Sequence, residues 1–356
     1  MKKTKPLAPG STIGILGGGQ LGRMMAMAAA QMGYRCITYS PEKEIVAADV
    51  CADTFQNAWD DRAAMAAFAQ NCDVVTWEFE NVPVDAISQL GDLLAPHPRA
   101  LETAQDRLNE KRFVEGLGGR AAPYAPVDNR ADLASAVERI GAPGILKTRG
   151  DGYDGKGQWR IRSAHEVDGV SLPAGPAIYE GLVEFDAEFS VILARGRGGE
   201  IVFWDSTHNI HEDGMLARSV LPAPAIVAAQ VDEARDLSRQ VADALGYVGV
   251  LTLEFFATAQ GPVFNEMAPR VHNSGHWTIE GAVTSQFQNH VRAILGLPLG
   301  DTRTVAPAMV MHNIVGKDAK TAHESLSDPA TQLHLYGKAR ALDGRKMGHT
   351  TTLKFD

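Results

Sequence analysis

The chain is poor in cysteine, with only Cys36, Cys51 and Cys72 among 356 residues. An odd number without CxxC spacing suggests neither a disulfide framework nor a zinc site, and a reducing cytoplasm fits it best. Positive charge is also short. With 34 Lys and Arg against 43 Asp and Glu, the net charge is -9 and the pI about 5.7. No general field then favours a polyphosphate backbone, so nucleic acid is not an expected partner and an anionic ligand must be held by a local cluster of donors. No apolar run approaches the roughly 20 residues that span a bilayer, so no membrane partner is expected. Lys2, Lys3 and Lys5 precede an apolar stretch as in an export signal, but Gly17, Gly18, Gly19 and Arg23 interrupt it. Internal repeats and low-complexity tracts are missing too. What is present is ordinary globular composition, 45% hydrophobic and 22% charged, with material for two or three domains.

The apolar run 12–16 leads into Gly17-Gly18-Gly19-Gln20-Leu21-Gly22 and then an Ala- and Met-rich helical pattern to about Met32, which reads as strand, glycine turn, helix. Further strands are expected at 35–39 and 73–77, with a helix over 62–70 between them, making the first hundred residues an α/β unit on a parallel sheet. After Pro96 and Pro98 a charged helix is expected over 101–117, ended by Gly116, Gly118 and Gly119. Strands follow at 144–148, 158–162, 177–183, 189–194, 201–205, 248–256 and 263–267, with a helix over 230–245, so this part is α+β. The tail from about residue 299 contains a strand at 308–314, a helical turn and a basic stretch at 338–346.

The first glycine cluster matches G-x-G-x-x-G between strand and helix, where amides and the helix dipole favour phosphate. The second strand ends Tyr39-Ser40-Pro41 with only Glu42 nearby, a poor fit to a dinucleotide fingerprint. A phosphate-bearing ligand, a nicotinamide cofactor and a structural turn stay open there. The second cluster, Gly150 to Gln158, approximates a Walker loop. Gly157 stands where Ser or Thr would meet magnesium, however, and a strand follows instead of a helix. Four glycines in eight residues between strands instead suit a mobile hairpin that closes over phosphates, with Lys156 adding charge. Lys147, on the preceding apolar strand, asks for an anion.

Glu254 and Glu266 each lie six residues from Gln260, in two β-runs flanking Thr258-Ala259-Gln260-Gly261. A hairpin centred on Gln260 sets them opposite each other on one face, where they repel unless a divalent cation lies between. Hard oxygens beside a phosphate point to Mg2+. The segment from Ala268 to Trp277, dense in donors and acceptors, reads as a site loop, and a zinc site on His272 and His276 lacks further ligands. Lys338, Arg345 and Lys346 form either a solvated face or a phosphate clamp.

Together these motifs resemble N5-carboxyaminoimidazole ribonucleotide synthetase, an ATP-grasp family of purine biosynthesis, across essentially the whole chain. The resemblance rests on Gly17 to Arg23, Glu78-Phe79-Glu80-Asn81, Gly152 to Gln158, Asn265 to Arg270, His272 to Trp277 and Gly344 to His349, in that order. It implies a Rossmann-like pre-ATP-grasp domain over about 1–100. An ATP-grasp domain follows over 101–298, with a lid subdomain at about 121–185, and a small C-terminal domain over 299–356 completes the nucleotide site. A homodimer is implied as well. The implied substrates are ATP, bicarbonate and aminoimidazole ribonucleotide, the implied metal Mg2+ on Glu254 and Glu266, and the implied route carboxyphosphate.

Residue by residue, the resemblance assigns ATP contacts to Arg107, Lys147, Gly152, Tyr153, Asp154, Gly155, Lys156, Gly157, Gln158, Glu180, Gly181, Leu182, Val183, Glu188, His211, Asn265 and Glu266. Gln20, Leu21, Glu80, Lys338, Arg345 and Lys346 match the ribonucleotide side. Arg270 would hold bicarbonate and carboxyphosphate, while Asp154, Lys156, His272 and Asn273 would orient the amine. Ala268 departs from the Asn that many ATP-grasp enzymes carry two residues after the second metal glutamate, so a third protein metal contact is not assigned. Three rivals stand beside this reading: a formate-dependent glycinamide ribonucleotide transformylase, a nicotinamide-dependent oxidoreductase and a silent nucleotide-binding regulator. The His272 to Trp277 motif counts against the first. The paired glutamates and second glycine loop go unexplained by the second.

Overall fold

A computed structural model describes residues 5–150 and 157–355. Three sheets organise the described residues. The first is parallel, in the order Asp53–Phe55, Arg35–Tyr39, Thr12–Leu16, Val74–Trp77. Thr12–Leu16 and Val74–Trp77 are covered on both faces, which is why they read as continuous apolar runs and not as alternating ones. Helices Gln20–Gln31 and Arg62–Gln70 follow the expected pattern. Gly14 is required by packing, since a Cβ there would sit 2.6 Å from both Cys72 Sγ and Phe68 Cζ.

The second sheet is antiparallel, in the order Tyr124–Val127, Ala177–Gly181, Gly144–Thr148, Gln158–Ile161. With helix Arg130–Ile140 it encloses its own small core around Leu133, Val137, Leu146 and Tyr179. That helix starts at a capping box in which Asn129 accepts from the Asp132 amide and Asp132 reaches back to the Asn129 amide.

The third sheet has nine strands. Its main path runs Gly261–Ala268, Gly249–Thr258, Ala187–Arg195, His208–Glu212, Met215–Leu221, Ala308–Val315, Lys346–Lys354, Thr331–Leu335, and Ile201–Phe203 pairs with Ala187–Arg195 off that path. The tail therefore extends the central sheet, with Leu221 to Arg218 laddered onto Met309 to His312. Helices Ala225–Ala244 and Gln286–Leu295 cover it. No helix among the described residues is long and apolar enough to cross a membrane.

One expected element divides. The helix over 101–117 is two, Arg99–Ala104 and Arg107–Gly116, because Asp106 takes an extended conformation and its carboxylate accepts from the Leu108 and Asn109 amides at 2.9 and 3.1 Å. An aspartate that caps the second helix cannot continue the first.

Candidate active site

At the head of the first sheet the glycine turn is closed from within. Buried Glu78 accepts from the Gly19 amide at 2.5 Å and the Gly22 amide at 3.0 Å, with the Leu21 amide also acting on it. A Cβ at Gly17 or Gly19 would fall 2.6 or 2.7 Å from Glu78, so those glycines leave room for a carboxylate. Burial pushes the Glu78 carboxyl up against the pull of these amides. The Gly19 and Gly22 amides thus hold an internal carboxyl group where the motif suggests a phosphate. Glu78 was not singled out, although it stands in the quoted Glu78-Phe79-Glu80-Asn81 run.

Glu254 and Glu266 face each other across the hairpin as their spacing predicts, but by a different route. The turn is Ala259-Gln260, with Thr258 opposite Gly261 and Phe255 opposite Phe264, so its centre lies between those two residues and not on Gln260. That register continued would pair Glu254 with Asn265 and turn Glu266 to the other face. A bulge at Asn265 inserts the extra residue and restores Glu266 to the Glu254 face. Burial, followed by the charge of Glu266, raises the proton affinity of Glu254. Glu266 Oε2 is 3.1 Å from Arg107 Nη1, and Glu254 Oε1 is 3.3 Å from His272 Nε2. Among the described residues no larger cluster of acidic, His or Cys side chains is arranged to hold a metal ion.

Two cavities meet at this pair. The larger, about 870 Å³, is lined by Gln20, Leu21, Glu80, Arg270, Lys338 and Arg345. The smaller, about 310 Å³, is lined by Lys147, Gln158, Glu180, Gly181, Leu182, Val183, Glu188, His211, Glu254 and Asn265. Arg107, Glu266, His272, Asn273 and Lys346 line both. Gly157 lines neither cavity; its carbonyl closes the hairpin by accepting from the Thr148 amide at 2.9 Å. Gly152, Tyr153, Asp154, Gly155 and Lys156 lie outside the described residues.

In the smaller cavity Lys147 donates to Glu180 Oε2 at 2.9 Å, and Lys111, 1% exposed, is 3.3 Å from the same oxygen. Burial opposes the Glu180 charge, yet Lys111 and then Lys147 outweigh it and hold the carboxyl at about 2. Burial lowers Lys147 despite Glu180. Lys111 and neighbouring Glu110, whose carboxyl burial pushes up to about 8, escaped the sequence reading because a charged helix looks solvated. Their burial becomes visible only once helix Arg107–Gly116 packs on strand Gly261–Ala268. His211 Nδ1 is 2.8 Å from Glu188 Oε2; burial disfavours its charge, but Glu188 leaves it net raised.

In the larger cavity Arg270 pairs with Glu80, and burial works against both charges, which sustain one another. Lys338 donates to the Lys346 carbonyl at 2.7 Å, and burial, then Arg345, pulls it down to about 8. Arg345 bonds Glu44 at 2.5 Å, a partner that sequence did not reveal. The site loop is pinned by Gln286, which accepts from the His272 amide and donates to the His272 carbonyl. His272 Nδ1 contacts Ser274 at 2.8 Å, and burial, then Arg270, holds its imidazole well below the usual range.

Three family models match the chain: a ribonucleotide synthetase preATP-grasp domain over residues 10–105, an ATP-grasp domain over 112–287, and a phosphoribosylaminoimidazole carboxylase C-terminal domain over 309–356. The N5-carboxyaminoimidazole ribonucleotide synthase of Brucella melitensis is 47% identical over 361 residues, covering 99% of each chain. The crystal structure of an ADP complex of an N5-carboxyaminoimidazole ribonucleotide synthetase superposes with a TM-score of 0.93 at 39% identity, over 99% of this chain and 95% of that one. The Aspergillus clavatus N5-carboxyaminoimidazole synthase, in complex with ADP and 5-aminoimidazole ribonucleotide, gives 0.88 at 30% identity, over 97% and 94%. The chain belongs to the N5-carboxyaminoimidazole ribonucleotide synthase family of ATP-grasp enzymes.

Proposed function

We propose that this chain joins bicarbonate to the amino group of 5-aminoimidazole ribonucleotide with ATP, giving N5-carboxyaminoimidazole ribonucleotide, ADP and phosphate in purine biosynthesis. The observation that carries this reading is the shared wall. Arg107, Glu266, His272, Asn273 and Lys346 line both cavities, so a nucleotide in the smaller one ends where a ribonucleotide in the larger one begins. Family membership supports the substrates, and the three free cysteines, with burial raising their thiols, accord with a reducing cytoplasm. We assign a homodimer on the family resemblance, and domains over about 1–100, 101–298 and 299–356.

Bicarbonate is a poor electrophile, so one of its oxygens attacks the γ-phosphorus, the bond to ADP breaks, and carboxyphosphate forms. The ribonucleotide nitrogen then attacks the carboxyl carbon, phosphate leaves with the bridging oxygen, and the nitrogen sheds a proton. Lys147, paired with Glu180, stabilises the phosphates electrostatically, and Arg107 steadies Glu266. Arg270, held by Glu80, binds bicarbonate and then carboxyphosphate. Lys338, Arg345 and Lys346 take the 5′-phosphate, and His272 and Asn273 orient the amine. The family resemblance assigns Gly152 to Gln158 to the lid, and Asp154 and Lys156 to orienting the amine.

Glu254 and Glu266 suit magnesium: they are hard carboxylates set face to face, and the charge of Glu266 adds to burial in raising the proton affinity of Glu254. When bound, the ion neutralises charge on the transferring phosphoryl group. Phosphate oxygens and water would complete its shell.

The test uses ¹⁸O-labelled bicarbonate and mass spectrometry of phosphate released during brief turnover with aminoimidazole ribonucleotide. One labelled oxygen should appear, after correction for carbon dioxide exchange. Unlabelled phosphate during demonstrable product formation would sink the carboxyphosphate route.

A further inference from the structure

We propose that Asn313, which lines neither cavity, is a positioning residue that dictates which end of the Asn273 amide faces the junction between the cavities. Asn273 sits in the short turn Asn273–Gly275 and lines both cavities. Asn313 comes from the tail, on strand Ala308–Val315. The two side chains form a closed amide ring. Asn273 Nδ2 donates to Asn313 Oδ1 at 2.9 Å, and Asn313 Nδ2 donates to Asn273 Oδ1 at 2.8 Å.

Such a ring alone does not choose an orientation, because turning both amides over regenerates it. The Leu216 carbonyl breaks that degeneracy. It only accepts, and Asn313 Nδ2 donates to it at 2.7 Å, so nitrogen must occupy that corner of the ring. Asn313 Oδ1 then faces Asn273, and Asn273 must offer Nδ2 in return. Turning the ring over would set Asn313 Oδ1 against Leu216 O, two acceptors without a proton between them.

Each amide has two N–H donors and a carbonyl with two lone pairs. After the ring is made, Asn273 keeps one N–H and one lone pair, on edges that Leu216 has chosen through Asn313. The junction is where an amine, a hydrogen-bond donor, meets a carboxyl group, a hydrogen-bond acceptor. A reversed amide would present the wrong partner to each. The inference rests on the reading of Asn273 as a site residue.

The test compares N313D, N313A, N273A and N273A/N313A in the full chain. Asp keeps the shape of Asn313 but donates neither to Leu216 nor to Asn273, so it abolishes the lock; Ala removes the ring without adding a charge. N313D and N313A are each expected to lower kcat about tenfold or more with the KM for ATP within about twofold of wild type, since only orientation at the junction is lost. The double variant should be no slower than N273A, because Asn313 acts only through Asn273. Wild-type kcat in N313A or N313D, beside a slow N273A, overturns the inference alone. So does a double variant whose losses multiply, or a rise in the KM for ATP that parallels the loss of kcat. Undiminished kcat in N273A overturns the underlying reading as well.

Discussion

Lys147 and Lys338 are both lysines drawn out of water beside a ligand cavity, and burial lowers both, but their company differs. Lys147 shares Glu180 with Lys111, three charged groups that are each at least nine-tenths hidden, with both ammonium groups on the one carboxylate oxygen. Lys338 leans on a backbone carbonyl and stands 5.7 Å over the Tyr336 ring. Among the described residues no carboxylate lies within ion-pair distance of it, while its neighbour Arg345 has only the half-buried Glu44. The smaller cavity carries its counter-charge inside the fold, so its cations belong to the architecture as well as to the ligand. The larger one pairs Arg270 with Glu80 but sets Lys338 on a carbonyl and Arg345 on a carboxylate a third exposed, a setting for a dianion that comes and goes. Disturbing the first should therefore register in stability, and disturbing the second in affinity.

The contrast breaks most sharply at Glu180. E180Q leaves two buried ammonium groups without a carboxylate, which should cost about 3 to 5 kcal/mol of folding stability by denaturant titration. K111M keeps the Lys147–Glu180 pair and should cost clearly less. An E180Q midpoint equal to wild type would mean that the smaller cavity is no more self-balanced than the larger.

Next in size is the glutamate pair, where stability and turnover should move in opposite directions. E254Q or E266Q should lower kcat by about a hundredfold or more if the pair holds the metal. The same E254Q removes a buried charge that repels Glu266, so the metal-free protein should melt at a higher temperature. Near-normal turnover of E266Q at limiting magnesium would refute the assignment.

How much of this was legible in the sequence follows from range. The parallel sheet and helix Arg62–Gln70 were readable because local apolar runs and glycine turns carry them. The opposition of Glu254 and Glu266 was readable from spacing, yet it depends on a bulge at Asn265 that no spacing rule reveals. The strands His208–Glu212, Met215–Leu221 and Lys346–Lys354 were missed because the first and last are polar and Arg218 and Ser219 interrupt the middle one, and all three take their conformation from ladder partners. Long-range pairing likewise hid the partners of site residues: Glu78 under the glycine turn, Lys111 on Glu180, Asn313 on Asn273. Each is an ordinary polar residue until the fold supplies its neighbour.

The smallest expected effect sharpens the account of the larger cavity, because there the sign decides more than the size. Arg345 is proposed to clamp the 5′-phosphate, and removing that charge-assisted bond in R345A should weaken the ribonucleotide by about 1.5 to 3 kcal/mol, or roughly ten- to a hundredfold, while sparing ATP. Glu44 now bonds both that guanidinium and the Ala339 amide at 2.5 Å each, so a carboxylate occupies donors that an arriving phosphate would need. At about a third exposed, such a pair contributes about 0 to 1 kcal/mol, which bounds what its removal can release. E44A should therefore tighten the ribonucleotide by up to about fivefold in equilibrium binding, the reverse of R345A, and leave ATP unchanged. E44A added to R345A should do little further, since much of the competition is for Arg345 itself. Weaker ribonucleotide binding in E44A would show that Glu44 braces the clamp, and the picture of a loosely held cation that a dianion can claim would fail at this residue.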